Sequence, residues 1–153
     1  MAKRKLIYLD DVVLTFASGA KEYRGSKREA AAISALRVGI VSGHLDMAQS
    51  FVHRFGLSRY ANRGRRGQMA GFLRLASTFI RRTRQFDVIC RALQDCGLSV
   101  DDAAHVAAAR IADATLLTFD KQVLHLASQY PILLGRVTRP SRWLRQTHGK
   151  EEE

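Results

Sequence analysis

Three aspartates sit where the local pattern places a carboxylate at the end of an element. Asp10 closes the apolar run Leu6-Ile7-Tyr8-Leu9, Asp120 closes Leu116-Leu117-Thr118-Phe119, and Asp102 falls in the first turn of an Ala-rich helical segment. If the two runs are neighbouring parallel strands, Asp10 and Asp120 leave the sheet at one edge. A helix starting at that edge would bring Asp102 beside them. Carboxylates gathered in this way repel, and a hard cation normally holds such a cluster together. Mg²⁺ or Mn²⁺ at that place can make water a nucleophile and neutralise phosphate charge, which is the chemistry of phosphodiester hydrolysis. Taken singly, each acid would be an ordinary cap or turn residue.

The rest of the charge has the opposite sign. The chain has 153 residues, with 25 Lys plus Arg against 14 Asp plus Glu and a formal net charge of +11. Arginine supplies 19 of the 25 basic residues, and its planar fork matches phosphate oxygens better than the point charge of lysine. Between Arg54 and Arg91 there are ten arginines and one acid, Asp87. The densest parts contain Arg59, Arg63, Arg65 and Arg66, then Arg81, Arg82 and Arg84, with Tyr60 available for stacking. These read as a nucleic-acid surface. An acidic protein segment is the other partner such a patch would accept.

The length suits one domain, and 46% hydrophobic residues suffices for a core. The expected domain is residues 1–146, with 147–153 as a flexible tail. No apolar run reaches the roughly 18–20 residues of a membrane span. The basic start Met1–Lys5 lacks the long apolar stretch of a secretory signal, so the expected location is the cytoplasm. Cys90 and Cys96 make neither a disulfide framework nor a zinc site.

Strands alternate with helices along the chain. The pattern predicts strands over Lys5–Val13, Val38–Val41, Ser77–Arg81, Ala114–Phe119 and Ile132–Thr138. Helices are expected over Ala30–Leu36, Leu45–Phe55, Gln68–Ala76, Gln85–Gln94, Val100–Ala112, Gln122–Gln129 and Ser141–Arg145. Ser26-Lys27-Arg28-Glu29 has the form of a capping box, and Gly56–Gly67 reads as a basic loop. The class is α/β with a central, mainly parallel sheet.

On these residues the chain resembles the PIN domains, and within them the VapC-like toxins of bacterial type II toxin–antitoxin pairs. The resemblance is carried by Leu9-Asp10-Asp11-Val12-Val13-Leu14, by Ser99-Val100-Asp101-Asp102-Ala103-Ala104-His105 and by Asp113-Ala114-Thr115-Leu116-Leu117-Thr118-Phe119-Asp120. Lys27–Ala31 and Val137–Leu144 fit the family's first helix and tail. It implies a three-layer α/β/α domain and a metal-dependent endoribonuclease. Asp10, Asp102 and Asp120 would hold Mg²⁺ or Mn²⁺, Thr118 would orient the site, and RNA would be the substrate. It also implies a homodimer with a small antitoxin partner.

Two positions depart from the family pattern. Val12 stands where an Asn is usual. The Glu expected on the helix after the second strand falls on Ala48 when Ser42 is aligned with the strand-ending Ser, or on Ile40 when Ser34 is. Asp46 is the one acid near enough to stand in as a further ligand. The alternative reading that follows is a PIN-like module that binds RNA or an antitoxin-like partner without turnover. His105, three residues after Asp102, is expected to pack or to bond behind the site.

Overall fold

The structure, a computed structural model, describes residues 5–148. Five short strands form the sheet: β1 (Leu6–Leu9), β2 (Asp46–Ser50), β3 (Thr78–Ile80), β4 (Thr115–Leu117) and β5 (Val137–Thr138). Their order is β3-β2-β1-β4-β5, and every pairing is parallel. A parallel sheet needs crossovers, and helices supply them. Between β1 and β2 run α1 (Asp11–Ala17) and α2 (Lys27–Val41), and between β2 and β3 run α3 (Phe51–Ser58) and α4 (Arg63–Leu73). Two more, α5 (Arg84–Asp95) and α6 (Val100–Ile111), join β3 to β4. Then α7 (Lys121–Gln129) and α8 (Pro131–Leu134) lead to β5, and α9 (Pro140–His148) ends the described chain.

Alternation along the strands divides the core into two layers. Tyr8 and Leu116 pack on one face with Leu93 of α5, Val106 of α6 and Val123 of α7. Ile7, Leu9 and Leu117 pack on the other with Leu14 of α1, Leu36 of α2, Phe72 of α4 and Trp143 of α9. Both faces are covered, which makes the domain three-layered. Among the described residues, no helix is long and apolar enough to cross a membrane.

Four elements differ from the sequence expectation, each for a physical reason. β1 stops at Leu9 because Asp10 caps a helix there, its Oδ1 accepting the Val13 N–H at 2.9 Å. Val38–Val41 is the end of α2 and not a strand. Its β-branched residues Val38 and Val41 are exposed, while Ala32, Ile33, Leu36 and Ile40 lie buried along one helical face. The second strand is therefore Asp46–Ser50, at the start of the expected Leu45–Phe55 helix. Ile132 belongs to the single turn of α8, opened by Pro131. The chain then turns at Gly135, whose φ of 75° suits glycine, before the two-residue β5. The residues expected as a tail begin inside α9, and those beyond His148 lie outside the described residues.

Glu29 plays a different part from the expected capping box. Ser26 Oγ accepts the Glu29 N–H at 3.2 Å, but the Glu29 carboxylate reaches across to α9. It accepts the Ser141 N–H at 2.7 Å and the Ser141 hydroxyl at 2.9 Å. A buried carboxylate at a helix start satisfies orphan donors there and favours the helix dipole. Glu29→Ala is expected to lower unfolding stability by about 2 kcal/mol, with Glu29→Gln recovering part of it, as measured by urea denaturation.

Candidate functional site: a carboxylate edge above a buried histidine pair

Parallel register puts the carboxyl ends of all five strands on one edge of the sheet. Leu9 pairs with Leu117, so Asp10 and Thr118 follow side by side. Their link is direct: the Thr118 hydroxyl donates to Asp10 Oδ2 at 2.5 Å. The same Oγ1 accepts the Asp120 N–H at 3.0 Å. One threonine thus fixes two of the expected acids relative to each other, using its donor and an acceptor lone pair. Asp120 also caps α7, its Oδ1 accepting the Gln122 and Val123 N–H groups at 2.9 and 3.1 Å.

Asp102 arrives on the first turn of α6, whose start is fixed by Ser99 Oγ accepting the Asp102 N–H at 3.2 Å. Burial and then the neighbouring charge of Asp120 push its carboxyl pKa upward, while a bond from Ser99 and the charge of His105 oppose them. Asp10 is pushed upward too, chiefly by burial, against the bonds from Thr118 and Val13. Asp10, Thr118 and Asp120 are thus brought together at the carboxyl edge, and Asp102 enters from α6, but among the described residues Asp10, Asp102 and Asp120 do not bring ligand atoms within 4.8 Å of one another. Asp46 is not there. It begins β2 opposite Leu6 and so lies at the amino edge, the far end of the sheet.

Beneath the carboxylates is a polar centre that the sequence pattern did not mark. Tyr8 is fully buried on β1. Its hydroxyl lies 2.7 Å from Ser50 Oγ and 2.8 Å from His105 Nδ1. His105 Nε2 lies 3.1 Å from Asp11 Oδ2 but is not aligned with it as a hydrogen bond. His53 stacks on Tyr8 with ring centroids 4.6 Å apart. The Ser50 N–H donates to His53 Nδ1 at 3.1 Å, so the proton of the neutral ring is on Nε2, which donates to Leu9 O at 2.6 Å.

Ser50 and His53 form a capping box at the start of α3, with histidine at the place of the usual Glu or Gln. The second strand ends at Ser50, so the six-residue spacing that put the expected acid on Ala48 falls instead on Gly56, where an added Cβ would lie 3.3 Å from Asp11 Oδ2. The capping-box signal Ser50-x-x-His53 was hidden by placing the helix start six residues too early, at Leu45.

The donor atoms of Asp11, His53 and His105 lie within 4.8 Å of one another, the convergence that a shared cation needs. Both His53 nitrogens are already bonded to backbone, which leaves Asp11 and the unaligned His105 Nε2 as the ready donors. The two histidines are held apart electrically. Burial, then the charge of His105, drives the His53 pKa down to about 4. For His105 burial also acts downward, but the contact with Asp11 and the charges of Asp11, Asp10 and Asp101 outweigh it and raise its pKa. Asp11 is lowered: burial acts upward, yet His105, His53 and Arg59 prevail.

The expected arginines lie around this edge. Arg81, Arg82 and Arg84 follow β3, and Arg82 pairs with Asp87 at 2.9 Å. Arg59 approaches Asp101 at 3.7 Å and covers the Phe55 ring at 4.5 Å. Arg63, Arg65 and Arg66 are on the first turn of α4, so the expected loop is partly helix, capped by Asn62. Tyr60 is half-buried against the core layer that holds Leu9, and is no open stacking platform.

The depressed histidine makes a sign-definite prediction. A base whose folded pKa falls from 6.5 to about 4 contributes stability that is present above pH 6.5 and lost as pH falls through 4. His105, whose folded pKa is raised, acts in the opposite sense near pH 6.5, because its folded form holds the proton more tightly than the unfolded one. Acidification from pH 6.5 to 4 is therefore expected to remove on the order of 3 kcal/mol through His53. Denaturation of His53→Gln across that range is expected to show a correspondingly flatter profile.

No protein-family model matches the chain, and neither does any curated protein. Among solved structures it is similar to the crystal structure of FitAcB from Neisseria gonorrhoeae, with a TM-score of 0.55 and 12% identity. The match covers 88% of this chain and 97% of that one. The five-stranded, all-parallel α/β domain built around the Asp10–Thr118 edge is thus PIN-like in fold.

Proposed function

We propose that the chain is a metal-dependent endoribonuclease, the toxin partner of a type II toxin–antitoxin pair. The observation that carries the reading is the Thr118 bridge, which holds Asp10 and Asp120 together at the sheet edge by donating to one and accepting the N–H of the other, while burial and the charge of Asp120 raise the pKa of Asp102 on α6. Such repulsion between acids at a sheet edge is what a divalent cation relieves. The donor set fits Mg²⁺ or Mn²⁺, because it offers carboxylate oxygens. Asp10 keeps acceptor capacity even with Val13 and Thr118 bonded to it, since a carboxylate has about four lone-pair sites.

In this reading Asp10, Asp102 and Asp120 hold the ion, which supplies charge neutralisation at the phosphate and an activated water. Thr118 positions Asp10 and Asp120 by donating to one and accepting from the other. His105 anchors α6 to β1 through Tyr8 and places its Nε2 3.1 Å from Asp11. The arginines draw and hold the RNA backbone. A small antitoxin and a homodimeric state belong to the same proposal, supported by the residue resemblance and by the shared fold.

A second reading has its own observation. The position six residues after the strand-ending Ser50, where the resemblance places an acid, is Gly56, which faces Asp11 and offers no ligand, so the module would bind RNA or an antitoxin without turnover. Incubation of the purified chain with single-stranded and structured RNA separates the two. Metal-dependent cleavage is expected, falling at least about 100-fold in Asp102→Asn and roughly 10- to 100-fold in Thr118→Val. Salt-sensitive binding with no metal-dependent cleavage would instead establish the second reading.

A further inference from the structure

The wing of the sheet edge opposite the expected arginines is also built to receive an anion. A groove of about 760 Å³ opens beside Val12 and Phe119, between α1, the start of α2 and α9. Five cations line it: Arg28, Lys121, Arg139, Arg142 and Arg145. All five are exposed, and among the described residues no ion pair or side-chain hydrogen bond neutralises any of them. The one acid in the lining, Glu29, is buried and turned to Ser141.

The floor of the groove is aromatic. Tyr23 stacks on Phe119 with centroids 5.4 Å apart and planes at 17°, and Phe16 meets Tyr23 edge-on at 5.1 Å. Tyr23 is half-buried, not sealed in the core. Gly25 makes room for it, since a Cβ there would lie 2.2 Å from the Tyr23 hydroxyl. Phe119 and Lys121 flank Asp120 in the chain, so this floor adjoins the carboxylate edge directly.

We infer that this groove is a subsite for single-stranded RNA, in which Arg28, Arg139, Arg142 and Arg145 hold phosphates and the Tyr23–Phe119 pair stacks a base. The inference rests on the proposed RNA reading and deepens it. Unpaired arginine forks match phosphate geometry, and an aromatic platform among them is the combination that binds single strands irrespective of sequence. An acidic peptide would use the cations but leave the platform idle. The strand order gives the path: Arg81–Arg84 follow β3, the acids follow β1 and β4, and Arg139 follows β5. Across the sheet this spans about 19 Å at ordinary strand spacing, with cations on both sides of the acidic centre.

The test measures binding of a short fluorescent oligouridine to the full chain in EDTA, so that no cleavage intervenes, over a series of salt concentrations. Arg142→Ala/Arg145→Ala is expected to flatten the slope of log K against log salt by about 1.4, the value for two lost single-strand phosphate contacts. Tyr23→Ala is expected to weaken binding about tenfold with little change in slope. Gly25→Ala, which displaces the ring without removing it, is expected to weaken binding in the same direction. Arg74→Ala, on the last turn before β3 and hence at the amino edge, serves as the control.

Groove variants that bind with wild-type affinity and slope would overturn the inference. So would competition by polyglutamate that is indifferent to Tyr23, which marks a peptide site. A parallel cleavage assay with Mg²⁺ or Mn²⁺ keeps the two proposals distinct. Cleavage with groove-independent binding removes the subsite and leaves the nuclease, whereas groove-dependent binding without cleavage does the reverse.

Discussion

The arrangement of the site depends on one buried hydroxyl. Tyr8 is fully enclosed at the centre of β1, and a buried phenol without partners would be strongly unfavourable. It finds them on two other elements, Ser50 at the end of β2 and His105 on α6. That requirement ties the sheet to the helix that delivers Asp102. His53 adds a second tie, since its ring joins the start of α3 to the Leu9 carbonyl one residue before Asp10. Strand register, helix entry and carboxylate placement are thus coupled through polar groups that have no water to turn to. A network of this kind favours a single geometry because each partial alternative leaves a buried group unsatisfied.

What could be read from the sequence followed from local chemistry. Asp10, Asp102 and Asp120 are all in helix-starting positions, and cap and turn preferences place such residues without knowledge of the tertiary structure. Thr118 came with its strand. The alternating α/β class was legible for the same reason. The second strand was not, because Val38-Gly39-Ile40-Val41 has strand-like composition and its helical burial depends on what α2 packs against. That one displacement moved the next helix start to Leu45, put the expected acid on Ala48 in place of Gly56 and made Asp46 look close to the site. Tyr8 was visible only as a core residue, since its polar partners are 42 and 97 positions away. The groove arginines were dispersed at 28, 139, 142 and 145, where composition shows no cluster.

The net positive charge can now be placed in space. Acids occupy the middle of the carboxyl edge, after β1 and β4, while arginines follow the outer strands β3 and β5. Distance separates opposite charges that would otherwise neutralise one another. Arg59 is the cation near the centre, where it faces Asp101 and helps hold the Asp11 pKa down. Asp102 keeps the repulsion of Asp120 and Asp101.

His53 changes the electrostatics of the centre more than its small size suggests. With a pKa near 4 it is neutral at physiological pH, and its bonds to Ser50 and Leu9 hold it as a structural strut. Its ring thus joins β1 to the start of α3 without adding a negative charge beside Asp11 and Asp10. The repulsion at the carboxyl edge therefore comes from its aspartates alone, Asp11 acting on Asp10 and Asp120 and Asp101 acting on Asp102.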